Sequence, residues 1–105
     1  MATKKEFGSF EEMLISSDVP VLVDFYADWC GPCKIMSQVL EQVNAQLQGR
    51  MKVAKIDTEK YPQIATKYQI YALPTLILFK QGEPIDKIEG VMQAPDLVRH
   101  LEAKL

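Results

Sequence analysis

Both cysteines of this 105-residue chain stand three apart, in Trp29-Cys30-Gly31-Pro32-Cys33. An apolar run from Val19 to Ala27 precedes them, and a long amphipathic stretch from Lys34 to Gln48 follows. That order predicts a strand, a tight turn and a helix, with the sulfurs in the turn and the first helical turn. Residues three apart on a helix carry Cβ atoms about 5–6 Å apart, and a disulfide needs Cα atoms roughly 4.4–6.8 Å apart. The two sulfurs can therefore bond or separate with little backbone movement. Cys30 falls where unpaired helix N–H groups point outward and the helix dipole is positive. A thiolate is favoured there, and the thiolate is the nucleophile. Pro32 suits the first helical position, where its missing N–H costs nothing, and Gly31 removes bulk beside the reactive sulfur. Cys30, nearer the helix start, is expected to be exposed and to attack. Cys33, within the helix, is expected to be less accessible and to resolve.

Other chemistries use the same spacing. Zinc and haem sites also contain C-x-x-C, but a structural zinc needs about four ligands. The other strong ligand candidate is His100, far along the chain, so a metal would have to be shared between two molecules, and none is expected. A structural staple is a poor explanation too, because a pair three residues apart closes almost no loop and constrains the unfolded chain little.

A length of 105 residues predicts one domain, residues 1–105. The apolar fraction of 48% allows a modest core and excludes disorder. Fourteen acidic against twelve basic side chains, net −2, leave no basic stripe, so nucleic acid is not an expected partner. No apolar run approaches the roughly 18 residues of a membrane span. The basic residues near the N-terminus are not followed by an apolar segment, so a signal peptide is not expected. A cytoplasmic monomer is the expectation, with a mature organelle protein of the chloroplast stroma as the alternative.

Along the chain, residues 2–6 are read as a short edge strand. Ser9-Phe10-Glu11-Glu12 has capping-box spacing and predicts a helix from Ser9 to Ser16 with Phe10, Met13 and Leu14 facing inward. Val21 to Tyr26 is apolar almost throughout, as in a strand covered on both faces. In the long helix Met36, Val39, Leu40, Val43 and Leu47 form one buried stripe, which Gly49 ends. Met51 to Ile56 reads as a strand and Tyr61 to Tyr68 as a short helix. Thr75 to Lys80 and Ile85 to Glu89 read as a hairpin turning at Gln81-Gly82-Glu83. Pro95 opens a last helix with Leu97, Val98, Leu101 and Leu105 on one face. Alternating strands and helices predict an α/β architecture, a central sheet covered on both faces. Asp24 interrupts the apolar strand, where a buried carboxylate costs several kcal/mol unless it is neutral, paired or solvated.

Trp-Cys-Gly-Pro-Cys-Lys following Val-Leu-Val-Asp-Phe-Tyr-Ala resembles the thioredoxin family, whose dithiol lies beside a β-α-β unit. The likeness runs the whole chain and implies the topology, a five-stranded mixed sheet flanked by four helices. It implies that Asp24 lies under the dithiol and accepts, through water, the proton of the resolving Cys33, and that Lys55 on the neighbouring strand tempers Asp24. It implies a cis peptide before Pro74, in a loop that faces the dithiol and pairs with an extended substrate segment. Trp29, Gly31, Pro32, Leu73, Gly90 and Val91 then form a contact surface. Lys55 to Pro62 with Ala72-Leu73-Pro74-Thr75 is most similar to the y-type thioredoxins of chloroplasts and cyanobacteria.

Two positions depart from the common pattern: Tyr26 stands where many members have Trp, and Gln38 where many have a helix-kinking proline. The implied activity is protein-disulfide reduction with no bound cofactor. Electrons would come from a thioredoxin reductase dependent on NADPH or ferredoxin. Peroxiredoxins and methionine sulfoxide reductases are implied targets. An oxidase or isomerase of the same fold, or a binding module with an incidental dithiol, remains open on the residues alone.

Overall fold

A computed structural model describes residues 2–105, with side chains from Gly8 onward. Helix α1, Ala2–Ser16, leads into β1, Val21–Tyr26, and then α2, Gly31–Gln46. Strand β2, Lys52–Asp57, and the short α3, Pro62–Lys67, follow. The hairpin β3, Thr75–Lys80, and β4, Glu83–Glu89, precedes α4, Ala94–Glu102. The sheet order is β2-β1-β3-β4, with β1 parallel to β2 and antiparallel to β3, and β3 antiparallel to β4.

The expected class holds, but the described residues form four strands, not five. The edge strand read over residues 2–6 is instead the start of α1. Ala, Lys and Glu dominate this segment, and they favour helix and are depleted from strands. The Ser9 to Glu12 spacing consequently lies inside a helix rather than at its start. Gly8 does not end it, since one interior glycine costs only about 1 kcal/mol.

Side chains alternate along β1 and so divide the core in two. Leu22, Leu76 and Leu78 bury against Met36, Val39, Leu40, Val43 and Leu47 of the α2 stripe and against Leu97 and Leu101 of α4. Val21, Val23, Phe25, Ile77 and Phe79 bury on the opposite face against Phe10 and Leu14 of α1 and Ile64 of α3. Asp24, two residues from Leu22, shares the α2–α4 face. This packing fixes the register of the central strand, because a slip of one residue would move every side chain to the wrong face. The β3–β4 loop has two residues, Gln81 and Gly82, both at positive φ (53° and 84°), which is the turn that suits the twist of a tight hairpin. A Cβ at Gly82 would lie 2.7 Å from Ile15 Cγ1, so any larger residue there meets both positive φ and the Ile15 side chain.

Candidate functional site

Strand β1 ends at Tyr26, and the Cys30 N–H donates to the Ala27 carbonyl at 3.2 Å, closing the turn into α2. Cys30 stays extended (φ −88°, ψ 107°) and caps the helix: its sulfur accepts the Cys33 N–H at 3.2 Å. A sulfur in that place receives both a backbone hydrogen bond and the positive end of the dipole, and both favour thiolate. The helix begins at Gly31, so Pro32 is its second residue rather than its first. It still costs no hydrogen bond, because the first four helical N–H groups have no intrahelical acceptor. Cys30 and Cys33 are joined as a disulfide with Cα atoms 5.3 Å apart.

Cys30 is not the more exposed of the pair, as the sequence had suggested; both residues are 4% exposed. Bonded sulfurs cover one another, and Ala27, Tyr26 and Leu73 pack around them. The two differ in what they face. A groove of about 490 Å³ is lined by Trp29, Cys30, Gly31, Pro32, Thr58, Ile70, Tyr71 and Leu73, and Cys33 is not among the lining residues. The groove therefore gives access to the disulfide from the Cys30 side.

Four of the expected contact residues, Trp29, Gly31, Pro32 and Leu73, meet in this groove. Gly90 and Val91 do not line it. Gly90, at φ 86°, ends β4 and donates its N–H to the Pro74 carbonyl at 2.9 Å, while Val91 is exposed beside it. The Leu73–Pro74 peptide is cis, as the family resemblance implied, and the following Thr75 is fully buried with its hydroxyl on the Ala72 carbonyl. Trp29 is 69% exposed, and its indole N–H donates to Glu59 Oε2 at 2.7 Å. Asp57 presents Glu59 through a local turn, its Oδ1 accepting from the Glu59 and Lys60 N–H groups.

Asp24 is fully buried, and neither carboxylate oxygen has a hydrogen-bond partner among the described residues. Burial raises its pKa from 3.8 to about 6, against a smaller downward pull from Lys55. Lys55 is in register with Asp24 across the parallel β1–β2 pair. Its ammonium nonetheless donates to Ser37 Oγ on α2 at 3.0 Å and lies 5.1 Å from the centroid of the Tyr26 ring. Tyr26 thus keeps an aromatic contact where a Trp is common. Gln38 lies within a helix that runs unbroken from Gly31 to Gln46.

The thioredoxin family profile matches residues 2–103. The chain belongs to the thioredoxin family. It is 59% identical over 102 residues to a thioredoxin-like protein of Synechocystis sp., covering 97% of each. It is 55% identical over 104 residues to Thioredoxin Y1, chloroplastic, of Arabidopsis thaliana, and there it spans 99% of its own length but 60% of the plant protein's. Identity to Thioredoxin 1 of Nostoc sp. is 41% over 98 residues. The y-type likeness read from residues 55–62 and 72–75 is therefore carried by the whole chain. Family membership together with a cysteine pair at bonding distance makes this a thiol–disulfide oxidoreductase centre, whose general partners are a reductase and disulfide-bearing proteins.

Several groove residues were not singled out from the sequence. Thr58, Glu59, Ile70 and Tyr71 reach the groove or the Trp29 indole from the segments after β2 and α3. The available signal was topological: segments leaving the C-terminal end of a parallel strand gather at the same rim as the β1–α2 turn. Tyr71, 84% exposed, sets an aromatic ring at the edge of the groove. His100, named from the sequence as the other ligand candidate, pairs with Asp86 of β4 at 2.5 Å. Among the described residues no group of three or more His, Cys, Asp or Glu is arranged to hold a metal, and no helix is long and apolar enough to cross a membrane.

Proposed function

We propose that this chain is a general protein-disulfide reductase acting as one domain. The Cys30 thiolate attacks one sulfur of a target disulfide, forms a mixed disulfide and displaces the other target sulfur as a thiolate. Asp24 takes the Cys33 proton through water, and the Cys33 thiolate attacks Cys30 Sγ. That step closes the Cys30–Cys33 disulfide and releases the second target thiolate, so two electrons pass from the dithiol to the target. The observation that carries this reading is Cys30 Sγ at the α2 N-cap, bonded to the Cys33 N–H and lining the groove from which Cys33 is absent.

An Asp24 pKa of about 6 suits a proton acceptor that works near neutral pH. Lys55 tempers that carboxylate from the neighbouring strand. Trp29, Gly31, Pro32 and Leu73 receive the target segment in the groove, and the backbone before Pro74 pairs with it as an added strand. Gly90 supports this loop through the Pro74 carbonyl, and Val91 extends the contact surface beyond the groove.

A separate thioredoxin reductase, dependent on NADPH or ferredoxin, returns the dithiol to its reduced state, and the chain works without a bound cofactor. Peroxiredoxins and methionine sulfoxide reductases are the proposed targets, and the cytoplasm or a chloroplast stroma the proposed site of action. Insulin-disulfide reduction with each reductase in turn tests the reading. Turnover with one of them, abolished in the Cys30→Ser/Cys33→Ser variant, is the expected result. A double variant that retained the protein's function in its host would make the chain a binding module instead.

A further inference from the structure

The β1–β2 register sets Lys55 beside Asp24 on one face of the sheet, and both Asp24 oxygens lack a partner among the described residues. Lys55 is exposed, yet an ammonium beside an unpaired buried carboxylate is still attracted to it. Here the ammonium is held elsewhere, by Ser37 Oγ at 3.0 Å and by the Tyr26 ring at 5.1 Å. Ser37 stands four residues after Cys33 on α2, one turn further along the same helical face. We propose that Ser37 is a positioning residue for the dithiol reaction: with the Tyr26 ring it tethers Lys55 to α2 and keeps the ammonium from closing on Asp24. The inference rests on the proposed role of Asp24 as proton acceptor for Cys33.

Other charged groups also lie around the pair. Glu41 shares with Ser37 and Lys55 a shallow groove between α2 and β2, and the charges of Asp57 and Asp28 act on Tyr26. Strand β3 offers Asp24 only Leu76 in register. The charged groups of α4 are engaged elsewhere: Asp96 with Arg99, His100 with Asp86, and Glu102 with Arg50. An ammonium in contact would hold Asp24 ionised far below neutral pH and make it a weak base. An ammonium held on Ser37 leaves it basic enough to take a proton.

The test is an NMR titration of the Asp24 carboxyl carbon in the oxidised protein, where the cysteines do not titrate. Ser37→Ala is expected to lower the Asp24 pKa by about half a unit or more, since a freed, partly solvated lysine closes on it. Ser37→Thr, which keeps the hydroxyl, is expected to restore the wild-type value. In a Lys55→Met background, Ser37→Ala is expected to have no effect. An unchanged or raised Asp24 pKa in Ser37→Ala, or a fall that persists without Lys55, overturns the tether. Stopped-flow resolution of a mixed disulfide then separates the two readings. Its acid limb is expected to move down with Asp24 in Ser37→Ala. A rate profile that stays fixed while the Asp24 titration moves overturns the role of Ser37 in the reaction, and with it the proton-acceptor role of Asp24. Failure of the tether alone leaves disulfide reduction intact.

Discussion

Removing the Asp24 carboxylate is expected to stabilise the protein near neutral pH and not in acid. The folded-state pKa is about 6, against 3.8 for the free group, because burial disfavours the charged form. Below 3.8 both the native and the unfolded chain hold the proton, and Asp24 contributes nothing that depends on pH. Between 3.8 and about 6 the unfolded chain has released the proton while the native state keeps it, so stability falls as pH rises through this window. Above about 6 the loss is complete. A shift of about two units corresponds to about 3 kcal/mol. Asp24→Ala escapes that cost, less a cavity term that is the same at every pH. The stability difference between variant and wild type is therefore expected to move in the variant's favour by up to about 3 kcal/mol between pH 3 and pH 7.5. In melting temperature that is on the order of 10–20 °C for a domain of this size. Urea unfolding of both oxidised proteins at half-unit pH intervals measures it, and the cavity term drops out of the comparison. A difference that stays flat across this range would refute the assignment of a buried, unpaired carboxylate. The same substitution is expected to slow resolution by Cys33, read by stopped-flow insulin reduction.

Cys33→Ser is expected to trap targets as mixed disulfides through Cys30, whereas Cys30→Ser traps almost none; peptide mapping of the adducts would show the reverse if the nucleophile were misassigned. Gln38→Pro is expected to kink α2 and destabilise the fold by about 3 kcal/mol, because proline removes an interior helical hydrogen bond. An unchanged denaturation midpoint would count against a regular helix at that point. Gly82→Ala is expected to cost about 1–2 kcal/mol, since it places a Cβ at positive φ against Ile15; thermal unfolding checks it, and no loss would mean that the hairpin turn relaxes freely. Glu59→Leu is expected to free the Trp29 indole and change its fluorescence without altering the far-ultraviolet circular dichroism.

The elements that local chemistry dictates were readable one by one. The α2 stripe from Met36 to Val43 is helical, with Leu47 capping the helix, because its three- and four-residue apolar spacing fits the helical period, and all five residues are buried. Strand β3 has the predicted limits, and the C-x-x-C turn brings its sulfurs within bonding reach through helix geometry alone. Residues 2–6 form helix and not the expected edge strand because their alanine, lysines and glutamate carry no strand alternation and favour helix. Other features depended on partners distant in sequence. The equal burial of Cys30 and Cys33 follows from the disulfide and from Leu73, forty residues away. Glu59 meets Trp29 across thirty residues because the sheet order places the ends of β1 and β2 side by side. Lys55 meets Ser37 instead of Asp24 because α2 crosses that face of the sheet. Sequence determined which groups could react, since reactivity lies in residue type and local backbone. Tertiary structure decided which groups face one another and which water reaches, since both depend on how the sheet and the helices over it are packed.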